Sequence, residues 1–183
     1  MPQIIAGSLR GKRLQTLEGL HTRPTTSRVK ESMFNIVQFD LPDARVLDLF
    51  AGSGQLGLEA LSRGAARCVF VEADRAAQKV VSANLRTCGL PAEKARLAAS
   101  DAFAFLKNNQ GQQFDVIFLD PPYGGELLQQ ALNAISLFDI LAEDGIIICE
   151  HGAADRVNFD LPGLSLLKQY KYGQILITKV GKA

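Results

Sequence analysis

Apolar residues in the middle of the chain occur in short runs, each followed by a longer segment in which they recur at helical spacing. The runs that predict strands are residues 45–50, 68–73, 95–100, 115–120 and 145–150. The helices predicted between them are residues 56–64, 76–85, 103–108 and 127–138. This alternation predicts an α/β fold with a doubly wound, mostly parallel sheet, a Rossmann-like architecture. In such a sheet, ligands bind beyond the carboxyl ends of the strands.

The N-terminal part of the chain departs from this alternation. Residues 4–5 and 14–17 predict the two short strands of a hairpin around a glycine-containing turn. Residues 25–37 have the apolar spacing of an amphipathic helix, which Thr25 or Thr26 can cap. We therefore expect a small hairpin and one helix before the first strand of the sheet.

The C-terminal part predicts a second hairpin. Residues 164–173 and 174–180 are two strand-like runs joined through a glycine, which suits an antiparallel hairpin at the edge of the sheet. With these runs the sheet has seven strands. We expect a single domain over residues 1–183, in which a hairpin extension (1–22) precedes the core (23–183).

The net charge of +1 conceals an uneven distribution of charge along the chain. Residues 1–30 and 164–183 together carry ten basic residues and one acidic residue, whereas residues 31–163 carry ten basic and eighteen acidic residues. Clustered Lys and Arg suit a polyanion such as nucleic acid, because phosphate contacts depend on local rather than net charge. A solvated charged face explains the same pattern, so both interpretations stay open.

Several classes of protein are disfavoured by the composition. No run of about 18 apolar residues is present, so we expect no membrane span. The cysteines, Cys68, Cys88 and Cys149, are far apart and form no CxxC pair. Because the N-terminus also has no export signal, we expect reduced thiols and a cytoplasmic location. Only His21 and His151 could add imidazole ligands, and we expect no metal site.

A glycine-rich loop follows the first predicted strand of the alternation. The segment LDLFAGSGQLGLEAL contains Gly52, Gly54 and Gly57, a GxGxxG pattern between a strand and a helix. Such a loop allows a tight turn and close approach of the backbone to a ligand. Glu72, twenty residues beyond Gly52, is placed to hold a ribose diol. The pattern alone fits a dinucleotide or S-adenosylmethionine.

Two further carboxylates help to separate these ligands. Asp48 precedes the glycines, where a carboxylate would repel a pyrophosphate but attract the ammonium and sulfonium groups of S-adenosylmethionine. Asp101, at the tip of the third strand, is suited to accept a hydrogen bond from an adenine amino group, and equally suited to cap a helix. Together they favour S-adenosylmethionine.

The strand at residues 115–120 ends in an unusual turn, Asp120-Pro121-Pro122-Tyr123. An amine on a base ring is a poor nucleophile because its lone pair is delocalised into the ring. The carboxylate of Asp120 and the carbonyl of Pro121 are suited to bind both N–H groups of such an amine. The prolines make the turn rigid, and Tyr123 can stack on the base, which contributes about 1–3 kcal/mol. The alternative is a rigid turn with a surface tyrosine.

On these residues the chain resembles the bacterial 16S rRNA (guanine966-N2)-methyltransferase family, RsmD, a class I family with a DPPY motif. The C-terminal third agrees only in general pattern, and Gln55 stands where a small residue is expected. The resemblance is carried by IIAGSLRGKRL (4–14), TRPTTSRVKESMFNIV (22–37), VLDLFAGSGQLGLEALSRGA (46–65), FVEAD (70–74) and DVIFLDPPY (115–123).

The resemblance implies methyl transfer from S-adenosylmethionine to N2 of a guanine in 16S rRNA, with S-adenosylhomocysteine as product and no metal. It implies assembled or partly assembled 30S subunits as the substrate, and we expect a monomer. The residues implied are, for catalysis, Asp120, Pro121, Pro122 and Tyr123; for the cofactor, Asp48, Phe50, Ala51, Gly52, Ser53, Gly54, Gly57, Glu72, Asp101, Ala102 and Asn35; and for RNA, Arg10, Lys12, Arg13, Arg23, Thr25 and Arg28.

Three other functions remain compatible with parts of the sequence. The same fold and chemistry could serve DNA adenine or a protein glutamine. An NAD-dependent oxidoreductase would explain the glycine loop and Glu72, but it leaves the DPPY turn and Asp48 without a role. An RNA-binding protein without activity is the third, and the intact Asp120 and Gly52 argue against it.

Overall fold

The computed structural model describes residues 2–17, 27–122 and 124–183. Within the described ranges, no helix is both long enough and apolar enough to span a membrane. The chain forms α1 (Ser27–Ile36), β1 (Arg45–Asp48), α2 (Gln55–Ser62), β2 (Arg67–Glu72), α3 (Arg75–Cys88), β3 (Ala95–Ala99), α4 (Ala102–Asn108), β4 (Phe114–Leu119), α5 (Glu126–Leu137), β5 (Leu141–Gly152), β6 (Leu164–Tyr172) and β7 (Ile175–Lys182).

The strands form one seven-stranded sheet in the order β3-β2-β1-β4-β5-β7-β6. Strands β1 to β5 are mutually parallel, and β7 is antiparallel to both β5 and β6. The predicted doubly wound sheet with an antiparallel hairpin at its edge is therefore confirmed. The last strand of the chain lies inside the sheet, between β5 and β6.

Alternation along the strands divides the apolar core into two layers. Val46 of β1, Phe118 of β4 and Ile148 of β5 pack on the face covered by α1, α2 and α3. Their chain neighbours, such as Leu47 and Ile117, pack on the face covered by α4 and α5. Side chains two positions apart on a strand lie on the same face of the sheet. The residues two positions after each member of the first set, at the carboxyl ends of these strands, therefore also lie on the α1 side.

The N-terminal hairpin, defined here as residues 2–17, is less regular than predicted. A single isolated bridge joins Gln3 and Arg13, and hydrogen bonds from Ile4 N to Lys12 O (3.0 Å) and from Leu14 N to Pro2 O (2.8 Å) hold the two arms. The predicted strands at 4–5 and 14–17 are therefore wrong as extended strands, although the chain does reverse. The arms are attached to helices instead of to a sheet.

Buried polar side chains of α2 and α3 dock the N-terminal hairpin. The carboxylate of Glu59 accepts hydrogen bonds from Ile5 N (2.7 Å) and Ala6 N (3.0 Å). A Cβ atom at Gly7 would lie 1.8 Å from the carbonyl oxygen of Ser62, so only glycine fits at this contact. Asn84 accepts from the backbone N of Gln15 (2.8 Å) and donates to its carbonyl oxygen (3.1 Å).

Strand β5 begins four residues earlier than the predicted start at residue 145. Leu141 pairs with Phe114 of β4 across an irregularity in the register, ahead of the regular pairing of Val116 with Ile146. The two acids at 143 and 144 are exposed, which is why this segment has the composition of a loop although its backbone is extended.

Candidate active site

The glycine loop connects β1 to α2 and has the geometry that its glycines require. Gly54 adopts φ = 81°, a left-handed conformation, and its N–H donates to the carbonyl oxygen of Ala51 (2.7 Å). At Gly57, a Cβ atom would lie 2.3 Å from Phe70 Cε1 and 2.6 Å from Cys68 Sγ. The third glycine therefore lets α2 pack directly on β2.

Glu72, at the end of β2, lies beside this loop as predicted. Its Oε2 accepts a hydrogen bond from Gly52 N (2.7 Å), and its Oε1 accepts from Asp74 N (2.8 Å). Each carboxylate oxygen has two lone pairs, so both oxygens keep the capacity to accept from a ligand hydroxyl. Glu72 thus fixes the glycine loop and leaves acceptors beside it.

Asp48, at the end of β1, is buried beneath the loop. Its side chain Oδ2 accepts from Gly57 N (3.0 Å), at the start of α2. Burial raises the pKa of Asp48 to about 7, and the negative charge of Glu72 adds to this, whereas the Gly57 hydrogen bond and Lys30 oppose it. A carboxylate in this setting is stabilised by a cation, so the site favours a positively charged ligand.

Asp120 follows β4 and faces two other acids. Since Leu119 pairs with Cys149, Asp120 and Glu150 fall in the next row of the sheet, and Asp48 lies two rows earlier on β1, opposite Phe118. Adjacent strands are about 4.8 Å apart, so Asp48 and Glu150, on the two strands that flank β4, each place a carboxyl group near that of Asp120 on the α1 side. Burial, then Glu150 and Asp48, raises the pKa of Asp120 to about 8, and Lys30 opposes this shift.

Lys30 of α1 is a charged residue of this site that sequence reasoning missed. It lies three, four and seven residues before Met33, Phe34 and Val37, so it belongs to the apolar stripe of α1. Its Nζ donates to Oε1 of Gln55, the first residue of α2. Burial lowers the pKa of Lys30, and the surrounding carboxylates raise it. A lysine within an apolar stripe was the available signal.

Asn84 of α3 was missed in the same way. It lies on the buried stripe of α3 together with Ala77, Val81 and Cys88, and it is fully buried. Besides its two bonds to Gln15, its Nδ2 donates to the carbonyl oxygen of Ser53 (2.8 Å). One side chain therefore joins the N-terminal hairpin to the glycine loop.

The other residues predicted to bind the cofactor differ in their burial and in the elements that they contact. Asp101 caps α4, because its Oδ1 accepts from Phe103 N (2.9 Å) and Ala104 N (3.0 Å), which confirms the capping interpretation. Ala102 is buried behind it, and Phe50 packs towards α4 and α5. Asn35 is exposed, and within the described part of the chain its side chain makes no hydrogen bond to the glycine loop.

The DPPY turn is described only in part. Pro121 is buried and Pro122 is exposed at the carboxyl end of β4. Tyr123, predicted to stack on the base, lies outside the described residues, as do Arg23 and Thr25 of the predicted RNA-binding set.

The remaining residues predicted for RNA binding differ in what they contact. Arg10, Arg13 and Arg28 are exposed. Arg10 and Arg13 also line, with Lys30, a cleft of about 770 Å³ between the N-terminal hairpin and α1. Lys12 instead donates to the carbonyl oxygens of Thr87 and Cys88 (3.1 Å each). This is a favourable position for a cation at the C-terminus of α3, so Lys12 has a structural role that the sequence did not indicate.

Three of the four basic residues in residues 164–183 are also engaged within the protein. Lys179 pairs with Asp40 (3.0 Å), and Lys182 pairs with Asp139 (3.0 Å). Lys168 lies over the ring of Tyr170, 5.1 Å from its centroid. The sequence pattern of charge at this end therefore overstates the charge available to a partner.

Comparison with known proteins places this geometry in context. Residues 2–180 match the family model described as "Conserved hypothetical protein 95". The chain is 41% identical over 148 residues to Ribosomal RNA small subunit methyltransferase D of Escherichia coli K12, covering 81% of this chain and 73% of that protein. The Haemophilus influenzae protein of the same name is 40% identical over 149 residues, covering 81% and 77%. The solved structure of Escherichia coli yhhF gives a TM-score of 0.85 at 37% identity, covering 99% of this chain and 97% of that chain.

Proposed function

This chain belongs to the RsmD family of ribosomal RNA methyltransferases, and from that premise we propose the reaction it catalyses. It transfers a methyl group from S-adenosylmethionine to the exocyclic N2 amine of a guanine in 16S rRNA, within the small ribosomal subunit. The observation that carries the proposal is the group of three carboxylates, Asp48, Asp120 and Glu150, on one face of the sheet beside the glycine loop.

The residues present fit S-adenosylmethionine. Buried carboxyl groups with raised pKa values are incompletely ionised at neutral pH, and a nearby cation favours their charged form. The sulfonium and ammonium groups of S-adenosylmethionine are such cations, whereas a pyrophosphate would be repelled. Glu72 holds acceptors for the ribose, and Asp48, Gly52 and Gly54 form the floor of the pocket.

The residues of the catalytic turn hold and orient the amine. When bound, S-adenosylmethionine supplies a methyl group activated by its sulfonium centre. The carboxylate of Asp120 and the carbonyl of Pro121 accept the two N–H groups and aim the nitrogen lone pair. Once the nitrogen has received the methyl group, Asp120 or water would take up the proton that the amine then loses. A base in this position must be unpaired or flipped.

The RNA reaches this turn past the N-terminal hairpin. Arg10 and Arg13 are exposed on the hairpin, and Arg28 is exposed on α1, so their guanidinium groups are available to phosphates. These contacts position the RNA, and they do not select guanine. The selection of N2 of guanine at position 966 follows from the family alone.

The test is methyl transfer from labelled S-adenosylmethionine to small-subunit particles that lack the modification, with naked 16S rRNA and DNA alongside. Nuclease digestion of the product then identifies the methylated nucleoside. We expect N2-methylguanosine from the particles. Label in DNA, or in another nucleoside, would contradict the proposed substrate.

Two variants test the role of the catalytic turn. Asp120→Asn should lower turnover by at least about a hundredfold, because the amine is no longer held by a carboxylate. Asp144→Asn removes an exposed acid of β5 and serves as the matched control, with turnover unchanged. Unchanged turnover in Asp120→Asn would show that this residue does not hold the amine.

A further inference from the structure

Lys30 is a half-buried cation on the stripe of α1 that faces the sheet, in a position where a purely structural helix would carry an apolar residue. Its neighbours on the stripe of α1, Met33 and Phe34, are fully buried and pack on the sheet. Burying an ammonium group is unfavourable unless it is paired and hydrogen-bonded. Lys30 therefore requires partners: its hydrogen-bond partner is Gln55, and the acids that act on its charge are Glu59 and then Asp120, Glu150 and Asp48.

The charged groups around Asp120 come from three elements. Glu150 of β5 lies in the same row of the sheet, and Asp48 of β1 lies two rows earlier. Both carry negative charge and disfavour ionisation of Asp120, as burial does. Lys30 of α1 is the cation that acts in the opposite direction on both Asp120 and Asp48.

Other contacts fix the position of Lys30. Its Nζ donates to Oε1 of Gln55, whose Nε2 donates in turn to Ser53 Oγ (3.1 Å). Glu59 also faces Lys30 and is the acid that raises its pKa most, and the same carboxylate binds Ile5 N, Ala6 N and Arg63 Nε. Gln55 stands where a small residue is expected in the glycine loop, and its side chain thus links Lys30 to Ser53.

We propose that Lys30 is a positioning residue of the methyl-transfer site, whose ammonium group, held by Gln55, keeps the carboxylate of Asp120 available as an acceptor beside Glu150 and Asp48. This inference rests on the proposed function, since it takes Asp120 to be the group that binds the amine. It assigns to α1 an electrostatic role in catalysis in addition to its packing on the sheet.

The consequence is a dependence of activity on pH that Lys30 controls. The ionised carboxylate of Asp120 is a stronger acceptor of an amine N–H than the protonated acid, so activity rises as pH increases through its pKa. An opposite charge nearby lowers the pKa of a carboxyl group by about 1–3 units. Removal of Lys30 should therefore shift the acidic limb of the pH profile to higher pH by at least about one unit.

The first experiment compares methyl transfer between pH 6 and 9.5 in four variants. Lys30→Met keeps the length of the side chain without its charge, and we expect activity at pH 7 to fall about tenfold and to recover at high pH. Lys30→Arg keeps the charge and should restore the acidic limb of the unmodified protein. Gln55→Ala should shift the limb in the same direction by a smaller amount. Lys107→Met, in an exposed part of α4, is the control and should leave the profile unchanged.

The second experiment needs no substrate, so it separates this inference from the proposed function. The carboxyl carbon of Asp120 is observed by NMR in protein labelled with ¹³C-aspartate and assigned from its loss in Asp120→Asn. We expect Asp120 to titrate at higher pH in Lys30→Met than in the unmodified protein. An identical titration, or a loss of activity in Lys30→Met that is the same at every pH, would overturn the proposal and leave Lys30 a structural residue.

Discussion

The N-terminal hairpin and the C-terminal hairpin formed by β6 and β7 carry similar positive charge, but they are attached to the domain by different interactions. The C-terminal hairpin is a continuation of the sheet, in which β7 forms a backbone ladder with β5. The N-terminal hairpin has a single bridge of its own and is held by side chains of α2 and α3. Attachment by side chains leaves Arg10 and Arg13 exposed at the cleft, whereas Lys179 and Lys182 are in ion pairs.

This difference shows that the same charge pattern in a sequence can have two uses. Lysines of the C-terminal hairpin neutralise acids on neighbouring segments, and such exposed pairs contribute about 0–1 kcal/mol each. Arginines of the N-terminal hairpin have no ion pair among the described residues and are available to a polyanion. The hypothesis that basic residues at the two ends form a patch for a polyanion is therefore better supported for the N-terminal hairpin than for the C-terminal one.

The largest effect on how the N-terminal hairpin is attached to the domain should come from Gly7→Val. The side chain would collide with the carbonyl of Ser62 in a backbone conformation that favours glycine, so the N-terminal hairpin must leave α2. We expect a loss of more than about 3 kcal/mol in the unfolding free energy, together with proteolysis of residues 2–17. Gly11→Val, at a glycine of similar φ with open space around it, controls for backbone strain alone. Equal effects of the two substitutions would contradict docking at Gly7.

A somewhat smaller effect is expected from Asn84→Leu, which leaves the polar groups of Gln15 and Ser53 without their partner. We expect a loss of about 2–3 kcal/mol, because buried backbone groups become unsatisfied. S-adenosylmethionine should also bind more weakly, since Ser53 belongs to the glycine loop. Isothermal titration calorimetry measures this change. Gln169→Leu, which removes one bond to Thr178 in the C-terminal hairpin, should leave cofactor binding unchanged.

The next smaller effect concerns the salt dependence of RNA binding, to which basic residues of the two hairpins should contribute differently. Replacing Arg10 and Arg13 by Ala should reduce the slope of log K against log salt by about 2, with little loss of stability. Replacing Lys179 and Lys182 by Ala should leave this slope unchanged, because both ammonium groups already have acidic partners. Equal changes in slope for the two pairs would show that the C-terminal hairpin also binds RNA phosphates.

The smallest expected effect is a pH dependence of the local stability where β5 contacts β7 of the C-terminal hairpin. Burial lowers the pKa of His151, whose Nε2 lies 2.8 Å from Thr178 Oγ1 on β7. The stability from the neutral ring is present above the unfolded pKa of about 6.5 and is lost as pH falls below it. Hydrogen exchange should show weaker protection of β5 and β7 at pH 5.5 than at pH 7.5, and no such change in the N-terminal hairpin.

His151→Gln should abolish that pH dependence, and its persistence would exclude His151 as the cause. A local measurement is needed because Asp48 and Asp120 act in the opposite direction. Their raised pKa values contribute stability below about pH 4 that is lost as pH rises through about 7 and 8.

Much of the fold was predictable because the strands of a parallel sheet are apolar on both faces and their helices are amphipathic. The start of β5 was not, since exposed Glu143 and Asp144 have the composition of a loop and only pairing of Leu141 with Phe114 extends the strand. The N-terminal hairpin lacked regular strands because Glu59 and Asn84, far along the chain, bind its backbone. Interactions between distant residues decided both cases.

The candidate site was predictable in its motifs but not in its electrostatics. Gly52, Gly54, Glu72 and Asp120 could be proposed as site residues because their spacing relative to strands has a chemical meaning. Lys12 could not be distinguished from its neighbours Arg10 and Arg13, since only the docked geometry brings it to the C-terminus of α3. Lys30 is visible in the sequence as a charge within an apolar stripe, but the groups around it come from α2 and from separate strands.

The interior position of β7 makes the order of synthesis matter. Because the final strand of the chain lies between β5 and β6, a ribosome that has translated only as far as Tyr172 has made β6 but not the neighbour it needs. A frameshift or nonsense codon shortly before Ile175 would therefore remove two strands from the sheet and expose the edge of β5. The nascent chain can complete this sheet only after β7 has left the ribosomal exit tunnel.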